Sequence, residues 1–301
     1  MTPAPVYLVD SSIYVFRAWF TFPDTFRNQA GELVNAVYGF TDFVAAFLDR
    51  TKPTHIVFAF DQSLTTSFRN DLYPDYKANR DPAPEELILQ FQYCREFIRA
   101  TGISEIASDC YEADDLLGTL ATQSQQRGHQ VTILSADKDL AQLIGEQDIL
   151  WDYARNRRLN PKDIEKHFGV RPDQIADQLA IAGDKVDNIP GIPGVGMTTA
   201  ARLLNRFDTL ENLLDNISEI ASMKIRGAAR IQKLVDEHQD AVRLFKQLTT
   251  IECAATLPEA LPITRNHHDR DLLENLFDTL GFGKLRRERW LRILESQAPA
   301  T

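Results

Sequence analysis

Val6-Tyr7-Leu8-Val9-Asp10 is a short apolar run that ends on an aspartate, and a helical pattern from Ile13 to Ala18 follows it. The arrangement returns twice. A periodic stretch from Val37 to Leu48 leads into Ile56-Val57-Phe58-Ala59-Phe60 and then Asp61, and Val131-Thr132-Ile133-Leu134 runs on to Asp137 and Asp139. Nearly continuous hydrophobic strands separated by helices predict an α/β fold, a parallel-sheet core with helices on both faces. Ligands of such sheets bind beyond the carboxyl ends of the strands, where these aspartates stand.

Working outward, the rhythm breaks between Gln62 and Pro84. Three prolines (Pro74, Pro82, Pro84) interleave there with Phe68, Tyr73, Tyr76, Arg69, Lys77 and Arg80. This reads as an insertion over the mouth of the sheet, partly helical and functional in kind, extending over about 62–100. From Pro172 the pattern is helical: Gln174 to Ala182, a tight Gly191-Ile192-Pro193-Gly194-Val195-Gly196 turn, then Thr198 to Phe207, Leu210 to Ile220 and Ile225 to Leu248. An extended connection from Ala254 to Arg265 precedes a last helical stretch, Leu272 to Leu294. The expected division is an α/β core over 1–171 and a helical region over 172–301.

Aspartate is depleted within strands, and a single strand-terminal Asp is usually a cap or turn former. Four acids at three strand ends ask for more. Carboxylates gathered on one sheet edge repel and rise in pKa unless a cation neutralises them. Glu112, Asp114 and Asp115 open a helix, where negative charge is favourable for the helix alone. Asp184 and Asp187 follow a helix end, where it is not. Together Asp10, Asp61, Glu112, Asp114, Asp115, Asp137, Asp139, Asp184 and Asp187 form a nine-carboxylate candidate patch without His or Cys. All-oxygen ligation selects hard ions, Mg²⁺ or Mn²⁺, and so many acids suit two ions. Two such ions roughly 3.5–4 Å apart are a recurring device of phosphodiester hydrolysis.

Composition narrows the setting. The 301 residues carry a net charge of −10, which excludes a polycation that coats nucleic acid by bulk charge. Setting the nine patch acids aside leaves a nearly neutral body, so the acidic total does not argue against a DNA partner. Three cysteines (Cys94, Cys110, Cys253) without metal-type spacing fit a reducing compartment. The start lacks a basic leader, and no run reaches the roughly 18 apolar residues of a membrane span. The expectation is a cytoplasmic protein with no membrane partner.

Six ordered blocks, VDSSIYVFRAW, AVYGF, FAFDQSLTTSFRNDLYPDYKANR, YEADDLLGTLA, TILSADKDLAQLI and AGDKVDNIPGIPGVGMTTAARLL, resemble the 5′-nuclease (flap endonuclease) family. The likeness is greatest to the 5′–3′ exonuclease domain of bacterial DNA polymerase I, and LFDTLGFGKL resembles the end of that domain. No polymerase region follows, so the resemblance implies a stand-alone nuclease. It implies two bound Mg²⁺, with Mn²⁺ able to substitute. Asp10, Asp61, Glu112, Asp114 and Asp115 would form a first metal group, and Asp137, Asp139, Asp184 and Asp187 a second. Lys185, between the last two acids, departs from the family's usual polar or acidic residue, and could form a local ion pair or weaken the second metal.

The resemblance also assigns DNA contacts. Lys77 and Arg80 match the basic residues that a helical arch points at the scissile phosphate, and Phe68, Arg69 and Tyr76 would engage an unpaired strand. Gly191, Gly194, Gly196 and Thr198 belong to a helix–hairpin–helix that grips duplex DNA, with K⁺ as a further ligand there. Lys224, Arg226, Arg230 and Lys233 form a run without an intervening acid, a phosphate contact or a solvated helix face. The implied activity is 5′–3′ exonuclease and 5′ flap endonuclease on DNA with 5′ flaps, nicks or free 5′ ends, by a monomeric, bacterial, nucleoid-associated enzyme. Two other readings stay open: a structure-specific DNA-binding protein with vestigial nuclease activity, and a ribonuclease on the same acidic core.

Overall fold

A computed structural model describes residues 3–62, 67–258 and 261–297; part of the expected insertion, 63–66, lies outside them. In chain order the elements are β1 (Val6–Asp10), α1 (Ser11–Thr21), α2 (Asn35–Thr51), β2 (His55–Ala59), α3 (Phe68–Leu72), α4 (Glu85–Ala100), β3 (Ser104–Ile106), α5 (Ala113–Gln126) and β4 (Val131–Leu134). There follow β5 (Ile149–Asp152), β6 (Arg157–Leu159), α6 (Pro161–Phe168), α7 (Ile175–Ala182), α8 (Met197–Phe207), α9 (Leu210–Asp215), α10 (Ala228–Glu237), α11 (Gln239–Thr249), α12 (Arg270–Thr279) and α13 (Lys284–Ser296).

These elements fall into two units, and the chain passes between them more than once. One unit comprises 1–64, 82–135 and 254–301, and the other 65–81 and 136–253. The first contains the parallel pairs expected from the apolar runs: β1 lies between β2 and β4, and β3 adds to β2. Residues Val6, Leu8, Val9 and Ile56 to Phe60 are fully buried, as strands covered on both faces require. Phe40, Phe47, Phe97 and Trp290, from α2, α4 and α13, are fully buried as well.

Two features of this unit differ from the sequence reading. Helix α4 was expected within the insertion, yet its Leu87, Cys94, Phe97 and Ile98 are buried in the core, and Gln90 accepts from the amides of Ala36 and Val37. The stretch available to an arch therefore ends near Pro84. The C-terminal residues also belong here rather than with the hairpin helices. Ile56 donates to the Ile263 carbonyl at 2.7 Å and Arg265 to that of Thr54 at 3.0 Å, so the extended connection lines the start of β2. Arg286 then clamps Asp42 of α2 with two hydrogen bonds of 2.8 and 2.9 Å.

The second unit holds an antiparallel β5–β6 pair and helices α6 to α11. Helix α6 starts at an Asn160 cap with Pro161 in its first turn and stops at Gly169, whose φ is +79°. Helices α7 and α8 flank the Gly-Pro turn. Gly191 has φ +65°, and a Cβ there would strike the backbone of Gly183, so two chain segments meet at a contact only glycine permits. Buried Asp177 of α7 ties the surrounding helices: its carboxylate accepts from the Leu210 amide and pairs with Lys246 of α11, each at 2.8 Å. Among the described residues no helix is long and apolar enough to cross a membrane.

Candidate functional site

Asp10, Asp61, Glu112, Asp114 and Asp115 all lie in the first unit, at the carboxyl ends of β1 and β2 and the start of α5. Asp10 closes β1 opposite Ala59, and its Oδ2 accepts from the Ser135 hydroxyl, just past β4, at 2.7 Å. Asp61, two residues beyond β2, receives the Ala113 amide on Oδ1 at 2.9 Å. Asp115 is fully buried and takes the Glu112 amide at 3.1 Å. The first turn of α5 thus presents its free amides to carboxylates, as a helix N-terminus favours. Glu112 and Asp114 are half-buried beside them.

The other four acids lie in the second unit. Asp137 Oδ1 accepts the Asp139 amide at 2.9 Å, and Asp184 Oδ1 that of Val186 at 2.8 Å. Burial and the neighbouring Asp137 push Asp139 up to about 8; Lys138 opposes this, while Asp184 and Asp187 add to it. Asp139 Oδ1 is buried and accepts no hydrogen bond. Lys138 is itself raised: burial lowers it, but Asp139, Asp184 and Asp137 outweigh that. Its Nζ stands 3.3 Å from Asp139 Oδ1 and 2.5 Å from Asp184 Oδ2. The cation on Asp139 and Asp184 is Lys138, which the sequence reading passed over; exposed Lys185 offers its carbonyl to Asn79 instead.

The segment around Tyr76 is fastened to the Asp184–Asn188 loop. The Lys77 amide donates to the Asp187 carbonyl at 3.0 Å, and Asn188 Nδ2 donates to the Asp75 carbonyl at 2.7 Å. Lys77 and Asn188 both adopt positive φ, +56° and +58°, so the backbone is drawn into an uncommon conformation on each side of this contact. Asp187 receives Arg80 on Oδ1 at 2.7 Å and the Tyr76 hydroxyl on Oδ2 at 3.1 Å, with Lys77 Nζ 4.0 Å away.

Two of the expected strand contacts are turned inward. Tyr76 is 3% exposed, its ring beneath Lys77 Nζ, and has no free face for a base. Arg69 is 2% exposed, and its guanidinium donates to the carbonyls of Leu248 and Thr250 at 2.8 and 2.9 Å. There it neutralises the negative end of α11. Phe68 stays half-buried and lines an open groove of about 590 Å³ with Leu72, Arg243 and Lys246. In the hairpin Gly191 is buried, whereas Gly194, Gly196 and Thr198 are exposed at the start of α8. Lys224, Arg226, Arg230 and Lys233 are exposed, and Arg230 approaches the Gly194 turn.

The donors available to a metal are carboxylate oxygens throughout. With Asp139 Oδ1 buried and lacking a hydrogen bond, the second group fits a hard divalent ion. Among the described residues, however, no three or more His, Cys, Asp or Glu side chains are gathered into a ready ligand set. The carboxylates are held by hydroxyls, amides and cations of their own chain.

Two family models match in succession: the 5′-3′ exonuclease N-terminal resolvase-like domain over residues 5–169, and the 5′-3′ exonuclease C-terminal SAM fold over 170–270. The chain is 37% identical to DNA polymerase I of Bacillus caldotenax over 281 residues, 91% of this chain and 31% of that protein. To DNA polymerase I of Mycobacterium leprae (strain TN) it is 36% identical, over 99% of this chain and 32% of that protein. It thus spans about a third of the length of these curated relatives. Among solved structures, the T5 D15 protein co-crystallised with metal ions superposes with a TM-score of 0.67 at 16% identity, covering 98% of this chain and all of that one. The catalytic core of Rad2 in complex with DNA substrate gives 0.64 at 15% identity, covering 98% and 93%. At such identities these two likenesses speak for the fold.

Proposed function

The chain belongs to the 5′-3′ exonuclease family, whose members hydrolyse DNA phosphodiester bonds, and from that premise we propose that it is a divalent-metal-dependent 5′–3′ exonuclease and 5′ flap endonuclease. The observation that carries the reading is the fastening of the Lys77 and Arg80 segment onto the acidic Asp184–Asn188 loop. In this reading, cations that would face phosphate and carboxylates that would face metal share one local structure of the second unit.

In the finer reading, the first-unit acids and the second-unit acids each provide one metal position, filled by Mg²⁺ or by Mn²⁺ in its place. Bound divalent ions would supply acidified water and neutralise charge on the scissile phosphate. The chain's own residues do the rest. Arg80 presents a planar fork to phosphate oxygens and Lys77 a compact point charge, and both stabilise negative charge that grows in the transition state. Asp187 aims Arg80, and the Tyr76 hydroxyl fixes Asp187. The exposed Gly194, Gly196 and Thr198 at the start of α8 leave backbone amides within reach of a duplex phosphate, with K⁺ as a further ligand there. Arg230, beside that turn, supplies a charged neighbour to the same phosphate. The substrates are DNA ends and flaps, engaged by a monomer in a bacterial cytoplasm.

A 5′-labelled flap substrate tests this directly. Short labelled products are expected with Mg²⁺ and none with EDTA, and Asp137→Ala should abolish cleavage while binding stays measurable. Flap binding without cleavage at any Mg²⁺ or Mn²⁺ concentration would instead establish a structure-specific binding protein. Cleavage confined to a matched RNA flap would establish a ribonuclease.

A further inference from the structure

Lys138 lies between Asp137 and Asp139 in sequence, yet its side chain reaches a third acid, Asp184, 46 residues away. The ammonium stands 2.5 Å from Asp184 Oδ2 and 3.3 Å from Asp139 Oδ1. Asp184 is 5% exposed and holds the Val186 amide on its other oxygen, so its position is fixed from both sides. Asp139 Oδ1 is sealed from water and accepts no hydrogen bond; the nearby ammonium acts on it by charge alone. Two carboxylates from distant parts of the second unit are thus bridged by one protein cation.

We propose that Lys138 is a resident counter-ion of the second acid group, holding Asp139 and Asp184 together in the metal-free protein and leaving when a divalent ion binds there. The inference rests on the metal reading above and concerns this chain's own lysine. An ion bound through the same two oxygens would stand close to the ammonium, and like charges at that range in a poorly solvated site repel strongly. The Lys138 side chain is 35% exposed, and its flexible four-carbon stem gives the ammonium a path to solvent. Bridging spares the fold two uncompensated buried charges when metal is scarce. It also sets a threshold, because only an ion that outcompetes the ammonium for both carboxylates can take the position.

Mn²⁺ affinity, read by electron paramagnetic resonance of the free ion on the full chain, tests the proposal. Asp139→Asn identifies the site in question. Lys138→Met should bind Mn²⁺ at that site at least about ten-fold more tightly, and Lys138→Arg, which keeps a cation, should stay closer to the parent affinity. Unchanged or weaker binding by folded Lys138→Met overturns the counter-ion role. A parent protein with no Asp139-dependent Mn²⁺ site overturns the metal reading itself, and the role with it. Should Lys138→Met fail to fold, the parent protein still decides. Acetylation of Lys138, followed by mass spectrometry, should rise severalfold on saturation with Mn²⁺ while that of exposed Lys284 does not change. Equal acetylation of Lys138 with and without Mn²⁺ overturns the proposal.

Discussion

Arg80 donates to Asp187 Oδ1 at 2.7 Å, which joins a side chain suited to grip phosphate to one suited to hold metal. The pair is partly exposed, so its worth to the fold is small. Its worth to cleavage should be large. Arg80→Ala is expected to lower single-turnover flap cleavage by about two orders of magnitude, with a nearly unchanged melting temperature. A parallel collapse in stability would assign Arg80 to the scaffold.

Arg69 should behave in the opposite way. Hydrogen bonds from the buried Arg69 guanidinium to the end of α11 predict that Arg69→Ala costs about 2–3 kcal/mol in urea unfolding. DNA affinity should fall only as far as the folded fraction does. A variant of parental stability with weakened DNA binding would show that the guanidinium turns outward in solution.

Gly191→Ala is expected to be among the most damaging single-methyl changes. The residue has φ +65° and its missing Cβ would overlap the Gly183 backbone. The conformation alone costs about 1–2 kcal/mol, and the overlap adds to it. Gly196→Ala has open space around it and no positive φ, so it should unfold at nearly the parental urea concentration.

His55 sets a pH dependence in the first unit. Burial, and then the His129 ring 5.3 Å away, lower its pKa from the usual 6.5. The unfolded chain therefore takes up the proton first as the medium acidifies. Stability should be fully present above pH 6.5 and decline as pH falls through that value and below it, the unfolded state binding more protons. Urea midpoints at pH 5 and pH 7.5 should differ less in His55→Gln than in the parent.

Much of the fold could be read directly. β1, β2 and β4 are buried on both faces and announce themselves as unbroken apolar runs, and Asp10 and Asp61 fall at the carboxyl ends of β1 and β2. The three-residue β3 and β6 carry no such signal, and α4 was hidden by prolines and aromatics around it that resembled an exposed insertion. Side-chain fates were less legible. Phe68, Arg69 and Tyr76 look alike as an aromatic and cationic series, yet Arg69 and Tyr76 are buried by partners 111 to 181 residues away. Lys138 was in plain view between two acids, but spacing alone does not reveal that its charge is spent on Asp184. Local pattern reports periodicity and residue type; it does not report which distant carbonyl or carboxylate a long side chain will find.

The return of residues 254–301 to the first unit bears on synthesis at the ribosome. The strand-like contact of Ile263 and Arg265 with the start of β2, and the clamp of Arg286 on Asp42, join residues more than two hundred positions apart. The 136–253 stretch emerges ahead of those residues and can complete its helices first. The sheet that carries Asp10 and Asp61 must wait, with α2 and α4 lacking the cover of Trp290 until α13 emerges. The half-built sheet is the species a chaperone would meet, because non-local closure comes last.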